Sequence, residues 1–227
     1  MVTQDGANVG VCAVEGNFDD AQAGVKRIFS DEAIRPTLAD RGYVPVLRQL
    51  HQLGPYPAPG GLLYLRLLRP GPGREAQHGR QGELLCATGN FGDILAAYYA
   101  KRMGLPVGKL ICASNCNDVL TDFLRTGVYD KNRPFHTTMS PSMDILVSSN
   151  LERLLYYKSG KDADYIAQLM NELEATGRYQ VREDIFTSVR EDFAGGYCDD
   201  AACAQSMREF YEQSGYVMDP HTAIATR

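Results

Sequence analysis

The stretch Thr88-Gly89-Asn90-Phe91-Gly92-Asp93-Ile94-Leu95-Ala96-Ala97 carries the clearest structural signal in this chain. Two glycines flank an Asn-Phe pair, and a helix-forming run follows at once. Glycines let the backbone approach an anion closely, and the free N–H groups and dipole of a first helical turn favour negative charge. The pattern therefore predicts a phosphate-binding loop. For a G-x-x-G pattern alone, a turn that merely starts a helix is the alternative.

Strand and helix signals alternate along the chain, which favours a parallel α/β sheet with the loop at a strand-to-helix turn. Short apolar runs predict strands at Val9–Val14 and Leu110–Ala113. Amphipathic spacing and helix-ending glycines predict helices. They cover Asp19–Ser30 (capped by Asp19 or Asp20), Asp31–Arg41, Asp93–Met103, Asp118–Thr126, Asp144–Tyr157, Ala163–Thr176 and Ala202–Ser214.

Composition excludes several classes of function. The 227 residues suffice for one large domain or two small ones, and 44% are apolar. A net charge of −5 gives no reason to expect nucleic acid or an anionic membrane as partner. The chain has no apolar run long enough to span a membrane and no signal sequence after Met1, so a cytoplasmic protein is expected.

The six cysteines do not predict a metal site. Cys112 and Cys116 are four residues apart and Cys198 and Cys203 five apart, whereas zinc sites usually combine closer pairs with further His or Cys ligands. Free thiols in a reducing compartment are the expected state.

Longer stretches around the loop make the pattern specific. They are Val14–Gln22, Asn90–Pro106, Lys109–Asn115, Val119–Phe123, Ser140–Ile145 and Ser148–Arg153. In these motifs the chain resembles threonine synthase, a pyridoxal-phosphate enzyme of the tryptophan synthase beta-like family, over residues 1–45 and 87–225.

The resemblance implies a fold and a reaction. Residues 1–227 would be an internal fragment of a fold-type II catalytic domain, an incomplete α/β structure with a parallel sheet and flanking helices. The whole enzyme would use pyridoxal 5′-phosphate to convert O-phospho-L-homoserine and water to L-threonine and phosphate, without a nucleic-acid or membrane partner. An inactive remnant, or a related pyridoxal-phosphate lyase such as threonine deaminase, is the alternative.

The resemblance also assigns residues. The phosphate of the cofactor would be held by the residues that we call the phosphate loop, namely Gly89, Asn90, Phe91, Gly92 and Asp93. The family's Schiff-base lysine lies in an upstream Thr-Gly-x-Thr-Lys-like pattern that these 227 residues lack, so no catalytic residue is expected in this chain.

Other polar residues are candidates for substrate contacts. Glu15, Asn17 and Asp19 follow a predicted strand, as does Asn115, and parallel α/β proteins bind ligands at such strand ends. The alternative is helix capping for Glu15, Asn17 and Asp19, and for Asn115 an Asx-type turn that caps the helix from Asp118. Contact with the substrate phosphate, or a capping and loop role within the protein, is open for Ser140, Ser142, Ser148, Ser149, Asn150 and Arg153. His136 and His221 show no partner pattern typical of a catalytic base.

Residues 46–86 differ from the rest of the chain. Residues 46–85 lack Asp, Asn, Lys, Ser, Thr and Ile, and they are rich in Leu, Gly, Pro and Arg. When Val46–Gly54 is written as degenerate codons and read from the second base, the allowed outcomes include Ser-Ser-Ala-Asn-Ser-Ile-Asn-Trp-Gly, which resembles threonine synthases at this place. We infer a frameshifted segment, opened near Pro45 and closed near Ala87. Its prolines predict an irregular backbone.

Overall fold

The computed structural model describes residue 7, residues 14–42 and residues 82–227. The chain divides into two compact units, Met1–Leu47 and Arg48–Arg227. The predicted strand Val9–Val14 lies outside the described residues, except for Val14, which belongs to neither a helix nor a strand. Residues 46–81 of the anomalous segment also lie outside them.

The first unit contains two helices, α1 at Phe18–Ser30 and α2 at Ile34–Ala39. The cap of α1 is Asn17, so the prediction of Asp19 or Asp20 as cap is wrong. The Asp20 N–H donates to Asn17 Oδ1 at 3.1 Å, and the Asn17 N–H donates to Asp20 Oδ2 at 2.9 Å. This reciprocal pair satisfies two N–H groups that the helix itself cannot, and it fixes where α1 begins.

The second unit contains a parallel sheet. Its strands are β1 at Gly82–Ala87, β2 at Val107–Ser114 and β5 at Phe193–Tyr197, in the order β1-β2-β5. A separate antiparallel pair joins β3 at Val128–Asp130 to β4 at Arg178–Gln180.

Helices lie between these strands and follow the last of them. They are α3 at Gly92–Arg102, α4 at Val119–Thr126, α5 at Leu151–Lys158, α6 at Ala163–Thr176, α7 at Glu183–Asp192, α8 at Asp200–Ser214 and α9 at Pro220–Ile224, and a 3₁₀ helix covers Pro141–Met143. Strand β1, helix α3 and strand β2 form a βαβ unit, which confirms the predicted α/β class with a parallel sheet and flanking helices.

Apolar side chains cover both faces of the sheet. Leu110 and Cys112 of β2 belong to the main core, which includes residues of α3, α4 and α7. Ala113 points to the opposite face and joins a smaller cluster with residues of α8 and α9. On the main-core side, a Cβ on Gly195 would lie 3.0 Å from the Thr121 Cα, so α4 can approach β5 this closely only because that residue is glycine.

One predicted helix begins in the wrong place. The helix predicted over Asp144–Tyr157 begins only at Leu151, because residues before it bond to other parts of the unit instead of forming helical turns. The segment 46–86, predicted to be mostly irregular, ends in β1, which starts at Gly82, and for residues 46–81 the prediction lies outside the described residues. Backbone pairing with β2 needs no particular side chains, and Leu84, Leu85 and Cys86 are tolerated in a strand.

Among the described residues, no helix is both long enough and apolar enough to cross a membrane. In the same ranges no group of three or more His, Cys, Asp or Glu side chains is placed to hold a metal ion.

Candidate phosphate site

The phosphate loop lies at the carboxyl end of β1 and leads directly into α3. Phe91 is the N-cap of the helix and has left-handed backbone angles, φ 60° and ψ 15°. Such a conformation costs a residue other than glycine about 1–2 kcal/mol. Its side chain is fully buried, with its ring 5.5 Å from that of Phe193 in β5. This burial offsets the backbone strain and fixes the start of α3 against the sheet.

Gly89 has to be glycine because the 3₁₀ helix lies against it. A Cβ at this position would be 3.0 Å from the Ser142 carbonyl oxygen and 3.1 Å from the Met143 Cα. Both neighbours are backbone atoms, so they cannot move aside as a flexible side chain could. The glycine pattern predicted close approach of the backbone to an anion here, and the contacts of Gly89 give a second reason for glycine within the protein.

Three acceptor atoms of the phosphate loop receive hydrogen bonds from the turn formed by Ser148, Ser149 and Asn150. Ser148 Oγ donates to the Gly89 carbonyl at 3.0 Å. The Ser149 N–H and Oγ donate to Asn90 Oδ1 at 2.7 and 2.8 Å. Asn150 Nδ2 donates to the Asn90 carbonyl at 2.8 Å. These side chains therefore brace the phosphate loop, which is the structural alternative to a substrate contact.

The donor groups of the loop stay open. Within residues 14–42 and 82–227, no protein atom accepts a hydrogen bond from the backbone N–H groups between Gly89 and Ile94. The first amide of α3 with such a partner is that of Leu95, which donates to the Phe91 carbonyl at 3.2 Å. A loop whose acceptors are occupied and whose donors are open, at the positive end of a helix, is suited to an anion.

Asp93 is the exception in this electrostatic arrangement. Its carboxylate is exposed in the first turn of α3, and no hydrogen bond ties it to the other described residues. Burial raises the pKa of the Cys86 thiol to about 11, and the Asp93 charge adds to that rise. Burial raises the pKa of Cys112, its partner in β2, to about 12. Both thiols are therefore protonated at neutral pH and are poor nucleophiles.

Asn115 lies at the carboxyl end of the neighbouring strand, within a buried group of polar side chains. This Asn115–Asp144 network consists of Asn115, Asn117, Thr138, Ser140 and Asp144. Asp144 Oδ1 accepts from Asn115 Nδ2 at 2.8 Å and from Asn117 Nδ2 at 3.1 Å. Its Oδ2 accepts from the Thr138 N–H at 2.9 Å.

Both ends of the Asn115 amide are used inside the protein. Its Oδ1 accepts from the Asn117 N–H at 2.9 Å, the Asx-type turn that was the alternative for this residue. The residue is 1% exposed. The network thus accounts for Asn115 structurally, and the role predicted for it in substrate binding stays a prediction.

Glu15, Asn17 and Asp19 belong to the first unit, not to the unit that carries the phosphate loop. Asn17 acts as the cap of α1, Glu15 is exposed and Asp19 is partly buried. Capping accounts for Asn17, and substrate contacts remain a prediction for all three residues.

His221 has a partner that the sequence analysis missed. Its Nδ1 is 2.8 Å from Asp219 Oδ1, and its Nε2 accepts from the Ser142 N–H at 3.3 Å. The hydrogen bond from His221 lowers the pKa of the Asp219 carboxyl.

His136 is exposed, and its backbone N–H donates to Asn117 Oδ1 at 2.9 Å. Tyr129 and Asp144, which hold the segment beside the loop, were not predicted either, since no local pattern marks them.

No protein-family model matches the sequence. Among curated proteins, the chain is 39% identical over 218 residues to human threonine synthase-like 1, covering 93% of this chain and 29% of that protein. It is 38% identical over 229 residues to threonine synthase of Pseudomonas aeruginosa, covering 100% of this chain and 46% of that protein. The chain thus spans less than half the length of these relatives.

Solved structures give the same family. The pyridoxal-phosphate-bound threonine synthase of Brucella melitensis matches with a TM-score of 0.76 and 36% identity, over 93% of this chain and 43% of that chain. Yeast threonine synthase matches with a TM-score of 0.76 and 31% identity, over 93% and 42%. Sequence and fold agree, and over these matched residues the chain belongs to the threonine synthase family.

Proposed function

We propose that this chain is part of a pyridoxal-phosphate-dependent threonine synthase, in which the phosphate loop and the first turn of α3 bind the phosphate of the cofactor. The observation that supports this most directly is the division of polar groups in the loop. The 148–150 turn occupies its acceptors, while the amides from Gly89 to Ile94 have no acceptor among the described residues. The whole enzyme would convert O-phospho-L-homoserine and water to L-threonine and phosphate.

The residues of the loop fit a phosphate group. Backbone N–H groups at a helix N-terminus bind anions, and the helix dipole adds about 0.3–1 kcal/mol for a negative charge there. Carbonyl oxygens facing the same anion would repel it. Ser148 and Asn150 hold the Gly89 and Asn90 carbonyls in hydrogen bonds, which keeps this repulsion small. Pyridoxal phosphate, when bound, supplies an electron sink for the reaction, and this chain would position it.

We infer further that the 227 residues alone bind the phosphate group without catalysing the reaction. The sequence lacks the Thr-Gly-x-Thr-Lys-like pattern that carries the lysine in the resembling enzymes. In our proposal the chain supplies backbone amides and a braced loop, and the proton-transferring lysine has to come from outside these residues. Phosphate release from O-phospho-L-homoserine by the purified chain would contradict this inference.

Binding can be tested without the chemistry of the aldehyde. Pyridoxamine 5′-phosphate forms no imine with surface lysines, and pyridoxamine is the same ring without the phosphate. In isothermal titration calorimetry of the full chain, we expect the phosphorylated compound to bind and pyridoxamine not to bind.

The Gly89→Val variant tests where the phosphate sits. Its side chain would collide with the Ser142 and Met143 backbone and push the loop out of place, so we expect the affinity to fall at least about tenfold. Gly82→Ala, at the start of β1, is the control, because a Cβ there meets nothing within 4 Å. Equal binding of pyridoxamine, or unchanged binding by Gly89→Val, would rule out the phosphate loop as the site.

A further inference from the structure

We propose that the hydroxyl group of Tyr129 positions the phosphate loop for binding, although Tyr129 itself lies in β3 and never contacts the anion. This inference rests on the proposed function, since it assigns a supporting residue to the same phosphate site. Tyr129 is therefore a positioning residue and not a catalytic one.

The Tyr129 hydroxyl joins both ends of a short turn. It accepts from the Ser148 N–H at 2.7 Å and donates to the Leu146 carbonyl at 2.9 Å. Tyr129 is 1% exposed, so water cannot readily replace either hydrogen bond. One buried hydroxyl thus fixes the backbone on both sides of Val147.

The same turn carries the brace of the phosphate loop. The Ser148 N–H donates to the Tyr129 hydroxyl oxygen, and the Ser148 Oγ donates to the Gly89 carbonyl. The next two residues, Ser149 and Asn150, hold Asn90. A shift of the Ser148 backbone would therefore move the carbonyl of Gly89, and Gly89 has no room to adjust against Ser142 and Met143.

The Tyr129 ring is held in place independently of its hydroxyl. It stacks on Tyr179 of β4 with ring centroids 5.2 Å apart and planes 5° apart, and the two residues pair across the strands. Phe123 of α4 contacts both rings. Removing the hydroxyl should therefore leave the stack and the core intact.

Tyr179 offers a matched control. It is as deeply buried as Tyr129 and belongs to the same stack, yet its hydroxyl makes no hydrogen bond to any of the described residues. Tyr129→Phe and Tyr179→Phe delete the same atom from the two halves of one stack. Only the first deletion breaks the connection to the 146–150 turn.

The test combines ligand affinity with hydrogen exchange. For Tyr129→Phe we expect the affinity for pyridoxamine 5′-phosphate to fall about tenfold, equivalent to about one lost hydrogen bond. Amide hydrogen exchange at Ser148 and Ser149, measured without ligand, should speed up in the same variant. Tyr179→Phe should change neither quantity.

The two readouts separate the inference from the proposed function. Unchanged affinity and unchanged exchange in Tyr129→Phe would overturn the positioning role of Tyr129. Equal losses in Tyr129→Phe and Tyr179→Phe would also overturn it, because they would show a general loosening of the stack. Faster exchange in Tyr129→Phe alone, in a chain that binds no pyridoxamine 5′-phosphate, would support the positioning role and overturn the proposed phosphate site.

Discussion

The phosphate loop and the Asn115–Asp144 network lie at the carboxyl ends of neighbouring parallel strands, with Ala87 opposite Ala113 in the register. The two regions treat their polar groups in opposite ways. In the network, donors and acceptors pair with one another, and every member except the partly buried Thr138 is buried. In the loop, acceptors are paired while the amide donors meet no acceptor in the described part of the chain.

The difference teaches how to tell a binding site from a structural one at the same edge of a sheet. A strand end in an α/β protein is a common place for ligands. A group can bind a ligand only if it is not already hydrogen-bonded within the protein. Both the Nδ2 and the Oδ1 of Asn115 are hydrogen-bonded to other residues of the chain. We therefore expect changes in the network to reduce stability, and changes in the loop to reduce phosphate binding.

Asp144→Ala should give the largest effect. It removes the carboxylate that accepts from the Asn115 and Asn117 side chains and from the Thr138 N–H, and hydrogen bonds to charged groups contribute about 1.5–3 kcal/mol each. We expect the free energy of unfolding, measured by urea denaturation, to drop by about 3 kcal/mol or more. Asp162→Ala, which removes an exposed helix cap, should cost only about 1 kcal/mol. Equal costs for the two variants would contradict the structural role of the network.

Asn90→Ala tests the other side of the comparison. It removes the oxygen that accepts from the Ser149 N–H and Oγ, so the loop loses part of its brace. We expect the affinity for pyridoxamine 5′-phosphate to fall about tenfold, with a smaller loss of stability than for Asp144→Ala. The control is Asn132→Ala, which removes an exposed amide bonded to the Thr176 carbonyl and should leave the affinity unchanged. If Asn90→Ala lowered the free energy of unfolding but not the affinity, the proposed difference between the two regions would be wrong.

The smallest expected effect comes from an ion-pair cluster away from both strand ends. Lys101 and Lys158 contact Asp192 at 2.7 and 2.6 Å. Burial by itself would raise the pKa of the Asp192 carboxyl, but hydrogen bonds from Lys101 and Lys158 outweigh it and leave the pKa lowered. Because the folded-state pKa lies below the unfolded value of about 3.9, the cluster stabilises the fold above that pH and loses this contribution on further acidification.

Urea denaturation between pH 6 and pH 3 measures this contribution. We expect wild type to lose on the order of 1 kcal/mol more than Asp192→Asn over that range, because the pair is partly exposed to solvent. Phosphate affinity at neutral pH should be the same in both proteins. An acid-induced loss as large in Asp192→Asn as in wild type would place the acid-sensitive group elsewhere.

Much of the α/β pattern could be predicted from local signals. The glycines at 127, 177 and 215 end α4, α6 and α8 in left-handed conformations, as their positions in the sequence indicated. The sequence analysis missed β3, β4 and β5, which have three to five residues each and form only against partners distant in sequence. Gly195 and Gly196 even argue against a strand, yet the close approach of α4 requires a small residue at 195.

The sequence by itself determined that a glycine-flanked loop starts a helix, because glycine tolerance and helix propensity act over a few neighbouring residues. It also determined the family through long motifs. Only the tertiary structure decided that the Asn115 amide is hydrogen-bonded within a network of polar side chains. It also decided that residues 144–150 leave the helical pattern to brace the phosphate loop, and that Tyr129 contacts these residues. These outcomes depend on hydrogen bonds between residues 17 to 60 positions apart, and no local propensity encodes which distant donor reaches which acceptor.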